Sequence, residues 1–290
     1  SQGNQYVWVE VPKTAEVYPT AGLEITEFTE SEYTAIETDL HTYTNDYNRY
    51  SHGTDTYYSD AATGLTSEQY TELKQKMLKS VYQNGGFYIG KYETGIEDAP
   101  KTSGSSSTAP TETPVIKQNA YPYNYITCSQ AQTLASNMEH GDRTTSLMFG
   151  VQWDLVMKYL ETKGTSQADL KTDSTNWGNY SNSVWNITNA NLKYAPNGSG
   201  WTTATEKSKT ANEEILLSTG ADDSFSKMGI YDLAGNVGEW TLEYTSSTST
   251  PCAYRGGYYT YSGSNVPAGI RFYRSTTTLY DNIGFRLALY

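Results

Sequence analysis

Helical periodicity in this chain stops near residue 170, and that boundary limits the folds open to it. Before it, Thr66 with Gln69 forms a capping box ahead of Tyr70, Leu73, Met77 and Val81, and Gly85-Gly86 supplies a stop. Thr29 with Glu32 repeats the box and predicts a helix to about Leu40. Thr127 with Gln130 opens a third helix, and Trp153, Val156, Met157 and Leu160 mark a fourth over about 151–163. Val7, Val9 and Val11 alternate with Tyr6, Trp8 and Glu10 as in a strand, and residues 87–92 read as another. Residues 41–64 read as a long irregular loop, and 101–112 as a low-complexity linker or surface loop. After residue 170, Gly, Asn, Ser, Thr and aromatics dominate, with short apolar stretches at 215–217, 229–233, 237–242 and 285–289. A few helices, short strands and much loop make an α+β chain.

Charge removes several functions. Twenty Lys and Arg against 32 Asp and Glu give a net charge of −12, which opposes nucleic acid and anionic membrane surfaces. No apolar run approaches the ~20 residues of a membrane span, and no signal-peptide pattern opens the chain. This excludes direct membrane insertion and leaves an acidic protein expected to face the outside of a cell. Cys128 and Cys252 cannot make a disulfide-dense scaffold, and whether they pair is open. The 27 Tyr, against 6 Phe and 6 Trp, suit either a soluble binding surface or ordinary strand packing.

Residues 229–243, Gly-Ile-Tyr-Asp-Leu-Ala-Gly-Asn-Val-Gly-Glu-Trp-Thr-Leu-Glu, resemble the most recognisable segment of the formylglycine-generating enzyme (sulfatase-modifying factor) superfamily. Tyr254-Arg255-Gly256-Gly257-Tyr258, Ile270-Arg271 and Gly284-Phe285-Arg286 follow in the family's order, and Phe87–Glu93 and Met148–Trp153 resemble its earlier landmarks. The resemblance implies a C-type-lectin-like fold with two small antiparallel sheets over residues 86–290, and 1–85 as an N-terminal extension packed on it. Gly238 departs from the family, which usually has Trp there. Within the segment, Gly235 suits a turn and Trp240 a buried anchor. Asn236 and Glu239 are oxygen donors three residues apart, suited to half of a structural Ca²⁺ site, as the family's calcium near this motif implies, or to bonding their own neighbourhood.

The family's chemistry does not carry over. Its cysteine pair falls shortly after the Arg-Gly-Gly strand, where thiolates bind copper, but residues 258–284 contain no cysteine. The three-His iron site of a second branch finds no counterpart in His41, His52 and His140; His140 reads as a loop residue. Asp222-Asp223 reads as solvated loop charge, and no Ser/His/Asp elbow or phosphate loop appears. No catalytic residue and no required cofactor is therefore expected.

Among non-catalytic branches, the chain most resembles the variable proteins of diversity-generating retroelements, in which adenines of the last gene segment are rewritten. Randomising both adenines of an AAC codon reaches only codons ending in C, which never encode Lys, Glu, Gln, Met or Trp. Those five number 54 in residues 1–243 and none in the 47 residues 244–290, where about ten would be expected. Residues 38–67 also lack all five, over a shorter run of 30 residues. The resemblance implies a variable region at about 255–286 with ligand-facing Tyr258, Tyr259, Tyr261, Ser262, Ile270, Phe272, Tyr273, Arg274, Leu279, Tyr280 and Asp281, a paratope-like mixture of rings and polar tips. Arg255, Arg271 and Arg286 are expected beneath that face, paired with carboxylates. The expected function is binding, without catalysis, of a protein or glycan on a cell surface, by a cell-surface, extracellular or virion-associated protein. A fixed-specificity glycan-binding module, or an enzyme with relocated metal or thiol chemistry, is the alternative.

Overall fold

The computed structural model describes residues 3–47, 53–138 and 141–290. The strand Tyr6–Glu10 pairs antiparallel with Gly86–Gly90, from Tyr6 opposite Gly90 to Glu10 opposite Gly86. Gly86–Gly90 pairs in turn with Leu287–Leu289, and that strand with Thr145–Leu147. The first and last strands of the chain thus share one sheet, with only Gly86–Gly90 between them. Val9, Ile36, Leu40, Met77 and Val81 from the N-terminal segment join Trp153, Trp240, Tyr254 and Phe285 in a single buried core.

The helices follow their local signals. Ser67–Asn84 has the full reciprocal capping box of Thr66 and Gln69 and ends on Gly85 at φ 72°, a conformation that suits glycine. Cys128–Ser136 has the same box from Thr127 and Gln130. Glu30–Tyr43 starts where expected and runs one turn further, but the Thr29 hydroxyl bonds the Glu32 side chain and caps no backbone N–H. Gly150–Thr162 takes its cap from a distance: Asp55 accepts from Gly150 N at 2.6 Å and Val151 N at 3.0 Å. A short helix, Asp60–Thr63, lies in the stretch expected to be loop. None of the helices among the described residues is long and apolar enough to cross a membrane.

A second four-stranded sheet has the order Arg271–Arg274, Cys252–Arg255, Gly238–Tyr244, Ile283–Phe285. Its last pairing is parallel, Gly238 opposite Ile283 through Trp240 opposite Phe285, so the sheet is mixed rather than wholly antiparallel. Beside it the hairpin Trp185–Pro196/Thr202–Lys209, extended by Ile215–Leu217, forms a third sheet where no strand pair was expected before residue 215.

Candidate functional site

The segment 229–243 is a rigid foundation. Gly235 has φ 75°, and a Cβ there would lie 2.2 Å from the Asn179 carbonyl oxygen. Trp240 is buried and donates Nε1–H to the Ile126 carbonyl at 2.9 Å. At Gly238 a Cβ would lie 2.5 Å from the Tyr254 ring, so Gly at this position makes room for Tyr in the neighbouring strand. The Asn236 amide donates to Glu93 (2.8 Å) and to the Leu217 carbonyl, while its oxygen accepts from Asn179 and Leu217 N, both at 3.0 Å. Both oxygens of Glu239 face the Arg286 guanidinium, at 2.7–3.1 Å. The oxygens of both side chains considered for calcium are therefore already supplied with donors by the protein.

Behind the edge strand lies a closed ring of buried charges. Arg255 reaches Asp154 at 2.7 Å and Glu243 at 3.4 Å. Arg271, opposite Arg255 in register, bonds the other Asp154 oxygen and Glu243 at 2.6 Å. Arg255 also donates to the carbonyls of Ile270 and Gly269, and Arg271 to that of Tyr47. Two cations and two carboxylates balance, which is the condition for burying them. The expected carboxylate partners of Arg255, Arg271 and Arg286 are thus Asp154, Glu243 and Glu239.

The structure joins part of the expected face into one aromatic string. Tyr261 packs edge-on to Tyr258 (centroids 5.2 Å apart), Tyr258 lies 6.0 Å from Tyr254, and Tyr254 stacks on Phe272 at 5.9 Å. The Arg274 guanidinium lies 5.6 Å from the Tyr254 ring and 5.9 Å from Tyr280, within cation–π range of both. Tyr261 and Tyr280 are about half exposed, at 49% and 47%. Ser262, Phe272, Tyr273, Arg274, Leu279 and Asp281 are partly exposed. Tyr254 is the connecting ring that sequence reasoning missed; its alternation with Arg255 on strand Cys252–Arg255 is the signal for it.

Three expected positions are buried instead. Tyr258 underlies Tyr261, Ile270 packs in the main core, and Tyr259 is 1% exposed and bonds Asp281 through its hydroxyl. The cover over Tyr259 is the unexpected hairpin. Its turn brings Gly198 so close that a Cβ would meet the Tyr259 hydroxyl and Asp281, and Trp201 packs on the Tyr259 cluster. Stability measurements separate face from core: in urea unfolding, Tyr261→Ala and Tyr280→Ala are each expected to change stability by less than about 1 kcal/mol. Ile270→Ala, at a core position, is expected to cost about 2 kcal/mol.

Cys128 and Cys252 are both buried and free. A hydrogen bond between them, together with burial, pushes the Cys252 thiol far above its usual range, the opposite of an activated thiolate. His52 and His140, considered above as ligands, lie outside the described residues.

The Sulfatase-modifying factor enzyme 1-like domain matches residues 62–290, and the chain belongs to that family. Its fold is accordingly the formylglycine-generating-enzyme-like, C-type-lectin-like one. Among solved structures the chain is similar to Treponema denticola variable protein 1, at 16% identity over 70% of this chain and 84% of that one, with a TM-score of 0.37. No curated protein matches the chain.

Proposed function

We propose that this chain is a non-enzymatic binding protein whose C-terminal segment is a diversified ligand face, as in the variable proteins of diversity-generating retroelements. The observation that carries the reading is the string Tyr261–Tyr258–Tyr254–Arg274–Tyr280, with Phe272 stacked on Tyr254, half exposed at its two ends and carried on strands whose Arg255 and Arg271 hold a buried charge ring. Rigid rings give contact area at low entropic cost, and Arg274 and Asp281 add directional polar contacts. The absence of Lys, Glu, Gln, Met and Trp from residues 244–290 supports the same reading. So does the lack of any cysteine in 258–284, where the family's catalytic pair would stand. The ligand class is a protein or glycan on a cell surface, met outside the cell or on a virion, without nucleic acid and without a required cofactor.

Deep sequencing of the gene and its flanks in a source population tests this. The expected result is substitution concentrated in the codons of Tyr261, Ser262, Phe272, Tyr273, Arg274, Leu279, Tyr280 and Asp281, sparing Arg255, Arg271 and Arg286, with an adenine-bearing template repeat nearby. A uniform gene without such a repeat removes the diversified reading and leaves a fixed-specificity lectin-like module.

A further inference from the structure

We propose that Glu37, His41 and Asp55 bind a zinc ion that fixes helix Glu30–Tyr43 to Asp55, the residue that caps helix Gly150–Thr162. The three residues precede position 62 and so lie outside the part of the chain matched by the family. Helix Glu30–Tyr43 carries Glu37 and His41 four residues apart, on one face. His41 Nε2 lies 3.9 Å from a Glu37 oxygen and 3.7 Å from an Asp55 oxygen, and one ligand atom from each residue falls within 4.8 Å of the others. Zinc bonds of about 2.1 Å in tetrahedral geometry set ligand atoms about 3.4 Å apart, so closure needs only small side-chain movement.

The surroundings resemble those of an oriented ligand set. Asp55 is buried, and the N–H groups of Gly150 and Val151 hold its two oxygens, fixing the carboxylate while leaving lone pairs on each. Glu243, the next carboxylate on the cavity wall, is taken by Arg255 and Arg271, which confines the ligand set to three. A cavity of about 330 Å³, lined by the three ligands with Glu243 and Arg271, gives a water molecule room to complete the coordination. Lys74 is the internal competitor: its ammonium lies 3.0 Å from Glu37 and 2.9 Å from the Asp55 carbonyl. Zinc binding displaces it from Glu37 while the carbonyl contact can remain. One imidazole with two carboxylates favours zinc over calcium, which takes 6–8 oxygens.

The test uses the full chain, freed of metal by a chelator and titrated with zinc chloride by calorimetry and by thermal unfolding. The expected result is one ion per chain and a raised melting temperature, because the ion binds the folded state. His41→Ala, at a side chain 37% exposed, is expected to keep the fold and weaken zinc binding about tenfold or more. Lys74→Gln is expected to tighten it. The Cys128→Ser/Cys252→Ser double variant is expected to bind as the parent does, which separates this site from thiol capture. No binding at 100-fold excess zinc, or unchanged affinity in His41→Ala, overturns the proposal.

Discussion

Replacing Arg255 by alanine is expected to lower the unfolding free energy by about 3–5 kcal/mol, the cost of stranding buried carboxylates. Asp154 and Glu243 are each 1% exposed, and in the variant only Arg271 remains to neutralise both. The carbonyls of Ile270 and Gly269 lose their guanidinium donor at the same time. These carbonyls lead into strand Arg271–Arg274, which carries Phe272 and Arg274 of the proposed face. The same change should therefore loosen the face as well as the core. Urea unfolding should show a lower midpoint with an unchanged slope, and amide exchange should quicken along 271–274. A double-mutant cycle with Asp154→Ala should recover part of the loss, since the second change removes one stranded charge. A loss below about 1 kcal/mol would show that the ring contributes little and that the strand is held by its backbone ladder alone.

What sequence reasoning reached, and what it missed, divides along the range of the interactions. The helices 67–84 and 128–136 were legible because capping boxes and a terminal glycine act within four residues. The cap on Gly150–Thr162 was not, because Asp55 stands 95 residues away. The family resemblance placed Arg255, Arg271 and Arg286 beneath the face, paired with carboxylates, but nothing local marks Asp154 and Glu243, on other elements, as the partners. The hairpin 185–209 was missed because its strands bury little: only Ile187, Leu192 and Ala195 of Trp185–Pro196 are buried, with a register shift between Thr188 and Leu192. One signal was there. Asn197-Gly198 is a strong hairpin dipeptide, and both residues adopt positive φ, 51° and 71°. With the hairpin overlooked, nothing suggested that Tyr259 would be covered. Residue chemistry is the same on a face or under a hairpin, so the division of the expected ligand-facing residues into exposed and buried needed the tertiary structure.

The second large effect lies at the other buried arginine and depends on pH. Arg286 donates to Glu239 and to the carbonyls of Gly90 and Tyr231. Glu93 and Asp232 are buried nearby, so three carboxylates share one guanidinium. Burial pushes Asp232 up to about 7, with the Gly220 N–H and Arg286 holding it back from rising further. Burial, with Asp232 and Glu239 close by, raises Glu93 well above the carboxylate range. An unfolded Asp titrates near 3.9, so between about pH 4 and pH 7 the folded state holds the extra proton. Stability from Asp232 is therefore complete below the unfolded value and falls as pH rises through 7. The parent protein should melt at a higher temperature at pH 5 than at pH 8. Arg286→Met should cost about 3–5 kcal/mol at pH 8, where Glu239 is left charged and unpaired. At pH 5 the loss should be distinctly smaller, because a carboxyl freed of its cation takes up a proton instead of remaining a buried charge. Urea unfolding of both proteins at the two pH values decides it. Equal losses at pH 5 and pH 8 would mean that Arg286 acts through its carbonyl hydrogen bonds, and that the carboxylate cluster does not set the pH dependence of this fold.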